Sequence, residues 1–290
     1  MVQIVEGLTE ISERYDAVFC DLWGCLHDGV TALPEAVSAL RAFREKGKKV
    51  VLLTNAPRSR SEVAKQLVHF SVPDDCWDTI ATSGDSARSA MFRGVIGEKV
   101  WFMGFHSDMG FFDPIHVVKT PVNIERVSLE EATGIACLGP FDPTADPSVN
   151  RPEFLYAKQK GLKLLCANPD IVVDRGEKRE WCAGALAALY TEMGGESLYF
   201  GKPHPPVYDL ARRRLEELGG TVPDSRILCI GDGIGTDIKG ALGEDLDSLF
   251  ITGGLARAET KTDEQPQQEA LEAFVSEQMI TPTYAIGYLR

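Results

Sequence analysis

Asp16–Gly29 reads DAVFCDLWGCLHDG. Four apolar residues stand between two acids, the pattern of a short strand. The strand ends on Asp21, and Gly24 follows in the turn. An acid there can face backbone N–H groups; a plain turn-forming aspartate would give the same string. From Pro34 the pattern changes. Ala36, Ala39, Leu40 and Phe43 fall at i, i+3, i+4 and i+7, which predicts a helix opened by Pro34 and stopped by Gly47. Lys48–Thr54 (KKVVLLT) is the next strand, and a helix over 60–70 follows, with Ser59 and Glu62 at capping-box spacing.

The alternation continues along the chain. Strands are predicted at Thr79–Thr82, Lys99–Met103, His116–Lys119, Gly134–Leu138, Lys163–Cys166, Leu198–Phe200, Arg226–Ile230, Leu246–Ile251 and Pro282–Leu289. Helices are predicted over 84–93, 150–159, 179–193, 205–218, 235–243 and 266–278. This rhythm argues an α/β fold, a doubly wound parallel sheet. It loosens between about 85 and 195, where Gly139–Asn150 reads as a long loop, and Arg257–Gln268 reads as a mobile one.

The chain has 290 residues, 44% hydrophobic and 25% charged, which excludes disorder and collagen-like structure. A formal charge of −13 argues against nucleic-acid or anionic-membrane binding, so an anionic ligand needs a local device. The longest uncharged apolar stretches, such as Ala132–Phe141, fall well short of the ~20 residues that span a bilayer. The N-terminal segment is acidic and lacks a signal-peptide pattern. The seven cysteines form no C-x-x-C pair and read as reduced thiols, so a cytoplasmic setting is expected.

Chemistry-bearing residues gather at strand ends, the edge where open α/β sheets bind ligands. Asp21 ends the first strand. Thr54-Asn55 ends the second and offers a hydroxyl and an amide N–H to an oxyanion. Lys202 lies between Gly201 and Pro203 after SLYF. Gly231-Asp-Gly-Ile-Gly-Thr-Asp237 follows RILCI, and two acids five apart among glycines can reach one hard cation. A carboxylate, a hydroxyl, a lysine and an acid pair are the parts that phosphoryl transfer requires.

These residues resemble the four ordered motifs of the haloacid dehalogenase (HAD) superfamily. Asp21-x-Trp-Gly-Cys resembles the first, Thr54-Asn55 the second, Lys202 the third, and Gly231-Asp232-x-x-x-Thr236-Asp237 the fourth. The order resembles class IIA, in which an α/β cap is inserted between the second and third motifs; about 147 residues separate Asn55 from Lys202. Ala81-Thr-Ser-Gly84, Ala167-Asn-Pro-Asp170 and Trp181-Cys-Ala-Gly-Ala185 add to the likeness. The resemblance implies a Rossmann-like core over 1–84 and 196–290, with a cap over 85–195. It implies a Mg²⁺-dependent hydrolase of a small phosphorylated metabolite, working through an aspartyl-phosphate, and it leaves room for a homodimer.

By the same resemblance Asp21 is the nucleophile, and Thr54 and Lys202 bind the phosphoryl group. Asp21, the Trp23 carbonyl, Asp232 and Asp237 are the metal set, Asp237 directly or through water. Trp23, Gly24 and Asn55 lie at the phosphate site. Within the cap, Asn168 and Asp170 are assigned to substrate; a turn role for Asn-Pro-Asp is equally open.

One position departs from the family. Its phosphatases carry Asp-x-Asp in the first motif, and the second Asp moves protons. Here that position is Trp23, which has an N–H to donate and nothing that titrates near neutrality. Dehalogenases of the superfamily carry an aromatic residue there but work without metal, whereas Asp232 and Asp237 keep a metal pattern. Two rival readings follow: metal-independent displacement at carbon, or a degenerate member that binds a phosphorylated ligand as a sensor.

Overall fold

The computed structural model describes residues 1–113, 118–175 and 178–290. The chain divides into two compact units. The first comprises Met1–Thr54, Ser61–Ala81 and Lys202–Arg290; the second comprises Asn55–Arg60 and Thr82–Gly201.

The first unit is built on a seven-stranded sheet, in the order Gln3–Ile4, Tyr284–Ile286, Asp247–Ile251, Ile227–Gly231, Ala17–Cys20, Lys49–Thr54, Thr79–Thr82. Ala17–Cys20 is parallel to both neighbours, and the winding reverses between it and Ile227–Gly231. Alternation along the strands sorts the core. Ala17, Phe19, Val51, Leu53, Ile227 and Cys229 share one buried cluster with Val207, Tyr208, Ala211 and Leu215 of the helix Pro205–Glu216. The helix Pro34–Glu45 also packs on the strand Lys49–Thr54, burying Ala36, Val37, Ala39, Leu40 and Phe43. Each large apolar side chain buried this way stabilises the fold by ~1.5–3 kcal/mol. This is a Rossmann-like α/β sheet with helices on both faces.

The second unit has its own five-stranded sheet, ordered Glu196–Tyr199, Lys163–Cys166, Gly134–Cys137, Lys99–Met103, Glu125–Arg126, with parallel pairing throughout. Here too alternation divides the core. Ile135, Cys137, Leu164 and Cys166 pack with Ala183, Leu186, Ala187 and Tyr190; Ala136 and Leu165 pack with Ala87 and Met91.

Several sequence expectations are corrected. The helix predicted over 179–193 begins only at Ala183. Lys178–Trp181 is instead a strand, antiparallel to Val172–Arg175, with Trp181 opposite Val172. The helix predicted from 235 opens as a π-helical turn, Ile234–Ile238, before the α-helix Lys239–Gly243. Arg257–Gln268, read as a mobile loop, carries tertiary hydrogen bonds: buried Thr252, Thr260 and Thr262 link hydroxyl to hydroxyl at 2.7 and 2.8 Å, and Gln265 accepts from the Gly287 N–H. The strand predicted over His116–Lys119 falls partly on residues 114–117, outside the described residues; Val118 and Lys119 are not in a strand. All seven cysteines are buried free thiols. Among the described residues no helix is long and apolar enough to cross a membrane.

Candidate active site

Cys20 pairs with Ile230 on one side and Leu52 on the other. That register sets Asp21, Thr54 and Asp232 at the ends of three adjacent strands, at the point where the winding reverses. The Asp21 N–H donates to the Ile230 carbonyl at 2.8 Å and fixes the backbone that carries the carboxylate. The chain then turns tightly: the N–H groups of Cys25, Leu26 and His27 all donate to the Leu22 carbonyl, at 3.4, 2.8 and 3.1 Å.

Gly24 has φ +70°, and a β-carbon there would lie 2.2 Å from Asp232 Oδ2. Gly254 approaches the same oxygen, where a β-carbon would lie 2.1 Å away. Both glycines are therefore set by the Asp232 carboxylate, which also accepts the Leu255 N–H at 3.1 Å.

Lys202 is only 2% exposed. Its ammonium lies 2.6 Å from Asp21 Oδ1 and 2.7 Å from Asp237 Oδ1. The other Asp237 oxygen accepts from the Gly233 N–H at 3.1 Å and the Thr236 hydroxyl at 3.2 Å. The π-helical turn makes this possible, since the N–H groups of Asp237 and Ile238 both fold back onto the Gly233 carbonyl.

Two buried carboxylates, Asp21 and Asp237, thus share one ammonium, and Asp232 adds a third acid beside Asp21. Burial, then repulsion from Asp237, pushes Asp21 up to about 7 against the pull of Lys202. Burial, then Asp21 and Asp237, raises Asp232 well above the usual carboxylate range. Burial pulls Lys202 down, but Asp21 and Asp237 outweigh it and hold its pKa above the ordinary value. The unbalanced negative charge fits a divalent cation, and one oxygen each of Asp21 and Asp232 lies with Cys25 Sγ in a buried group whose atoms are all within 4.8 Å of one another.

Trp23 is 39% exposed. Its indole lies against the Gly29 turn, where a β-carbon would meet the ring at 2.2 Å, and edge-on to His27, with ring centroids 5.4 Å apart. His27 is buried, its Nδ1 accepts the Gly29 N–H at 3.0 Å, and burial lowers its pKa to about 4. The ring is held within its own loop.

The remaining assigned residues lie in the second unit. Asn55 Nδ2 donates to Asp170 Oδ1 at 2.8 Å. Asn168 Oδ1 accepts the Asp170 N–H at 3.1 Å, the turn role left open above. Sequence reading missed Cys25, Gly254 and Leu255 as neighbours of the acids. Cys25 carried a local signal, standing four residues after Asp21; Gly254 and Leu255, more than twenty residues from Asp232, carried none.

The fold and site define a hydrolase of the haloacid dehalogenase type. Comparison with known proteins agrees: the family model described as haloacid dehalogenase-like hydrolase matches residues 18–113, and a second HAD-hydrolase-like model matches 199–275. A dihydroxyacetone phosphatase of Corynebacterium glutamicum is 30% identical over 244 residues, 81% of this chain and 80% of that protein. A solved haloacid dehalogenase-like hydrolase from Brucella suis is 36% identical, with a TM-score of 0.84 over 99% of this chain and 100% of that one. A glycerol phosphate phosphatase of Mycobacterium tuberculosis, solved with magnesium, shares the fold at 22% identity and a TM-score of 0.68, over 95% of this chain and 76% of that one. The chain belongs to the haloacid dehalogenase superfamily, in its class IIA.

Proposed function

We propose that this chain is a Mg²⁺-dependent phosphatase of a small phosphorylated metabolite, working through a phosphorylated Asp21. The observation that carries the reading is Lys202, buried between Asp21 and Asp237 beside the Asp21–Asp232 pair. Asp21 attacks phosphorus, the P–O bond to the leaving alcohol breaks, and water then cleaves the acyl-phosphate and restores the carboxylate. Lys202 and Thr54 meet the charge on the phosphoryl oxygens. Asp237, with both oxygens occupied, orients Lys202, a role the geometry favours over direct metal ligation. Asp21, Asp232 and the Trp23 carbonyl would hold Mg²⁺, which when bound offsets charge on the transferring group. The inserted unit takes the cap's role of choosing the substrate. The magnesium in the M. tuberculosis relative and the phosphatase relatives support the same reading.

The test is a panel of phosphorylated metabolites, including dihydroxyacetone phosphate, glycerol phosphate and ribonucleoside monophosphates, each with Mg²⁺ or with chelator. Hydrolysis is expected only with Mg²⁺. Phosphate release that survives chelation would overturn the Mg²⁺ dependence; metal-independent turnover of a haloacid would instead indicate displacement at carbon, and binding without turnover a sensor. Titration calorimetry checks the metal assignment: Asp232→Asn is expected to weaken Mg²⁺ binding by at least ~10-fold. An unchanged affinity would remove Asp232 from the metal set.

Trp23 sets the rate in this reading. General acid–base help is worth ~10²–10⁴-fold. Trp23→Asp is expected to raise kcat on 4-nitrophenyl phosphate by ~10-fold or more. That leaving group needs no proton, so the gain would report the water-activation step. Because the indole is partly exposed, its removal hollows the core less than loss of a buried Trp would. A variant that stays folded, binds Mg²⁺ and gains nothing would mean that the site is shaped for other chemistry.

A further inference from the structure

The reading above uses the carboxylates of Asp21 and Asp232 and leaves Cys25 idle. Yet Cys25 Sγ and one oxygen from each acid form one buried group, no two of these atoms more than 4.8 Å apart. The placement is built in. The Cys25 N–H folds back onto the Leu22 carbonyl, and Asp232 is held by Gly24, Gly254 and the Leu255 N–H. Ligand atoms on one zinc ion, with bonds of ~2.0–2.3 Å, lie about 3.5 Å apart, so the three donors would have to draw together by up to about 1.3 Å to share one. Mg²⁺ takes oxygen ligands and has no use for the sulfur. Thiophilic cations do.

We propose that Cys25 gives the site a second metal mode: a thiophilic divalent cation such as Zn²⁺ binds Asp21, Asp232 and Cys25 Sγ together and displaces Mg²⁺. On binding, the S–H bond breaks, the sulfur–metal bond forms and the proton goes to solvent; nothing is oxidised. By displacing the Mg²⁺ that the reaction uses, such an ion inhibits the hydrolase. The inhibition rests on the function proposed above; the coordination does not.

The test uses the full chain, freed of metal, with Cd²⁺ as a spectroscopic probe for Zn²⁺. Titration at fixed pH is expected to raise one equivalent of sulfur-to-cadmium charge-transfer absorption per chain, which excess Mg²⁺ reverses. The band should vanish in Cys25→Ser, and the preference for Cd²⁺ over Mg²⁺, read by calorimetry, should fall by ~100-fold. Cys25→Thr gives the same comparison with a different side chain if the serine variant folds poorly. No band in the unmodified chain, a band that persists in Cys25→Ser, or an unchanged preference would overturn the proposal. A chain that hydrolyses phosphate esters with Mg²⁺ but gives no band loses this inference and keeps the phosphatase reading; a band without hydrolysis does the reverse.

Discussion

Asp21→Asn is expected to lower kcat on any accepted phosphate ester by ~10⁴–10⁶-fold, the range seen when a covalent nucleophile is removed. The carboxamide nearly matches the carboxylate in shape but cannot form the acyl-phosphate. Beryllium fluoride, a phosphoryl mimic, should bind the unmodified protein with Mg²⁺ and leave the variant free. Full turnover in Asp21→Asn would end the covalent mechanism, whatever the substrate.

The same substitution has a second signature, in stability. In the metal-free protein Asp21 is pushed up to about 7 from an ordinary value of 3.8. Between those values the folded state binds the proton more strongly than the unfolded state. Stability is therefore lost as pH rises from about 4 to about 7, by a few kcal/mol at ~1.4 kcal/mol per unit. Asparagine carries no charge to bury. Metal-free Asp21→Asn should melt several degrees above the unmodified chain at pH 8 and close to it at pH 4. Mg²⁺ should narrow the gap by stabilising only the unmodified chain. Equal melting at pH 8 without metal would mean that Lys202 already balances the carboxylates.

Why Asp21 and Asp232 could be found from sequence while their neighbours could not is a matter of range. A parallel strand covered on both faces must be continuously apolar, so DAVFCD and RILCIGD announce both the strand and the acid at its end. Lys202 was marked by the glycine and proline around it. That its ammonium is shared by Asp21 and Asp237 depends on residues far apart in sequence and on a π-helical turn that no periodicity signals. The antiparallel pair Val172–Arg175 and Lys178–Trp181 was missed for a similar reason: pairing between strands, rather than local pattern, decides its state. Two-residue strands such as Gln3–Ile4 are too short to carry a pattern at all.

Lys202→Met should be the most damaging single change to the fold of the site. Methionine fills much of the lysine's space, so what is lost is chiefly the charge. Asp21 and Asp237 would then face each other in a buried site, with Asp232 beside them and the Lys202 charge gone. Removing one partner from a buried ion pair costs ~3–5 kcal/mol, most of it the unpaired charge left behind. The loss should be largest at alkaline pH in chelator and smaller at pH 5, where Asp21 and Asp232, both raised by burial, can take up protons instead. Mg²⁺ should restore part of the stability, because it offsets the same charge. Turnover should still fall by ~10²–10³-fold with Mg²⁺ present, since a donor to the phosphoryl oxygens is gone. Lys202→Arg separates charge from shape. It keeps the cation, but a guanidinium must fit where the native side chain is 2% exposed, at an overpacking cost of ~1–3 kcal/mol. If the charge is what holds the three carboxylates together, the arginine variant should show the milder pH dependence and the methionine variant the steeper one. Thermal melts of both variants between pH 5 and 9 decide it. Identical profiles would mean that Asp21 and Asp237 are accommodated without Lys202.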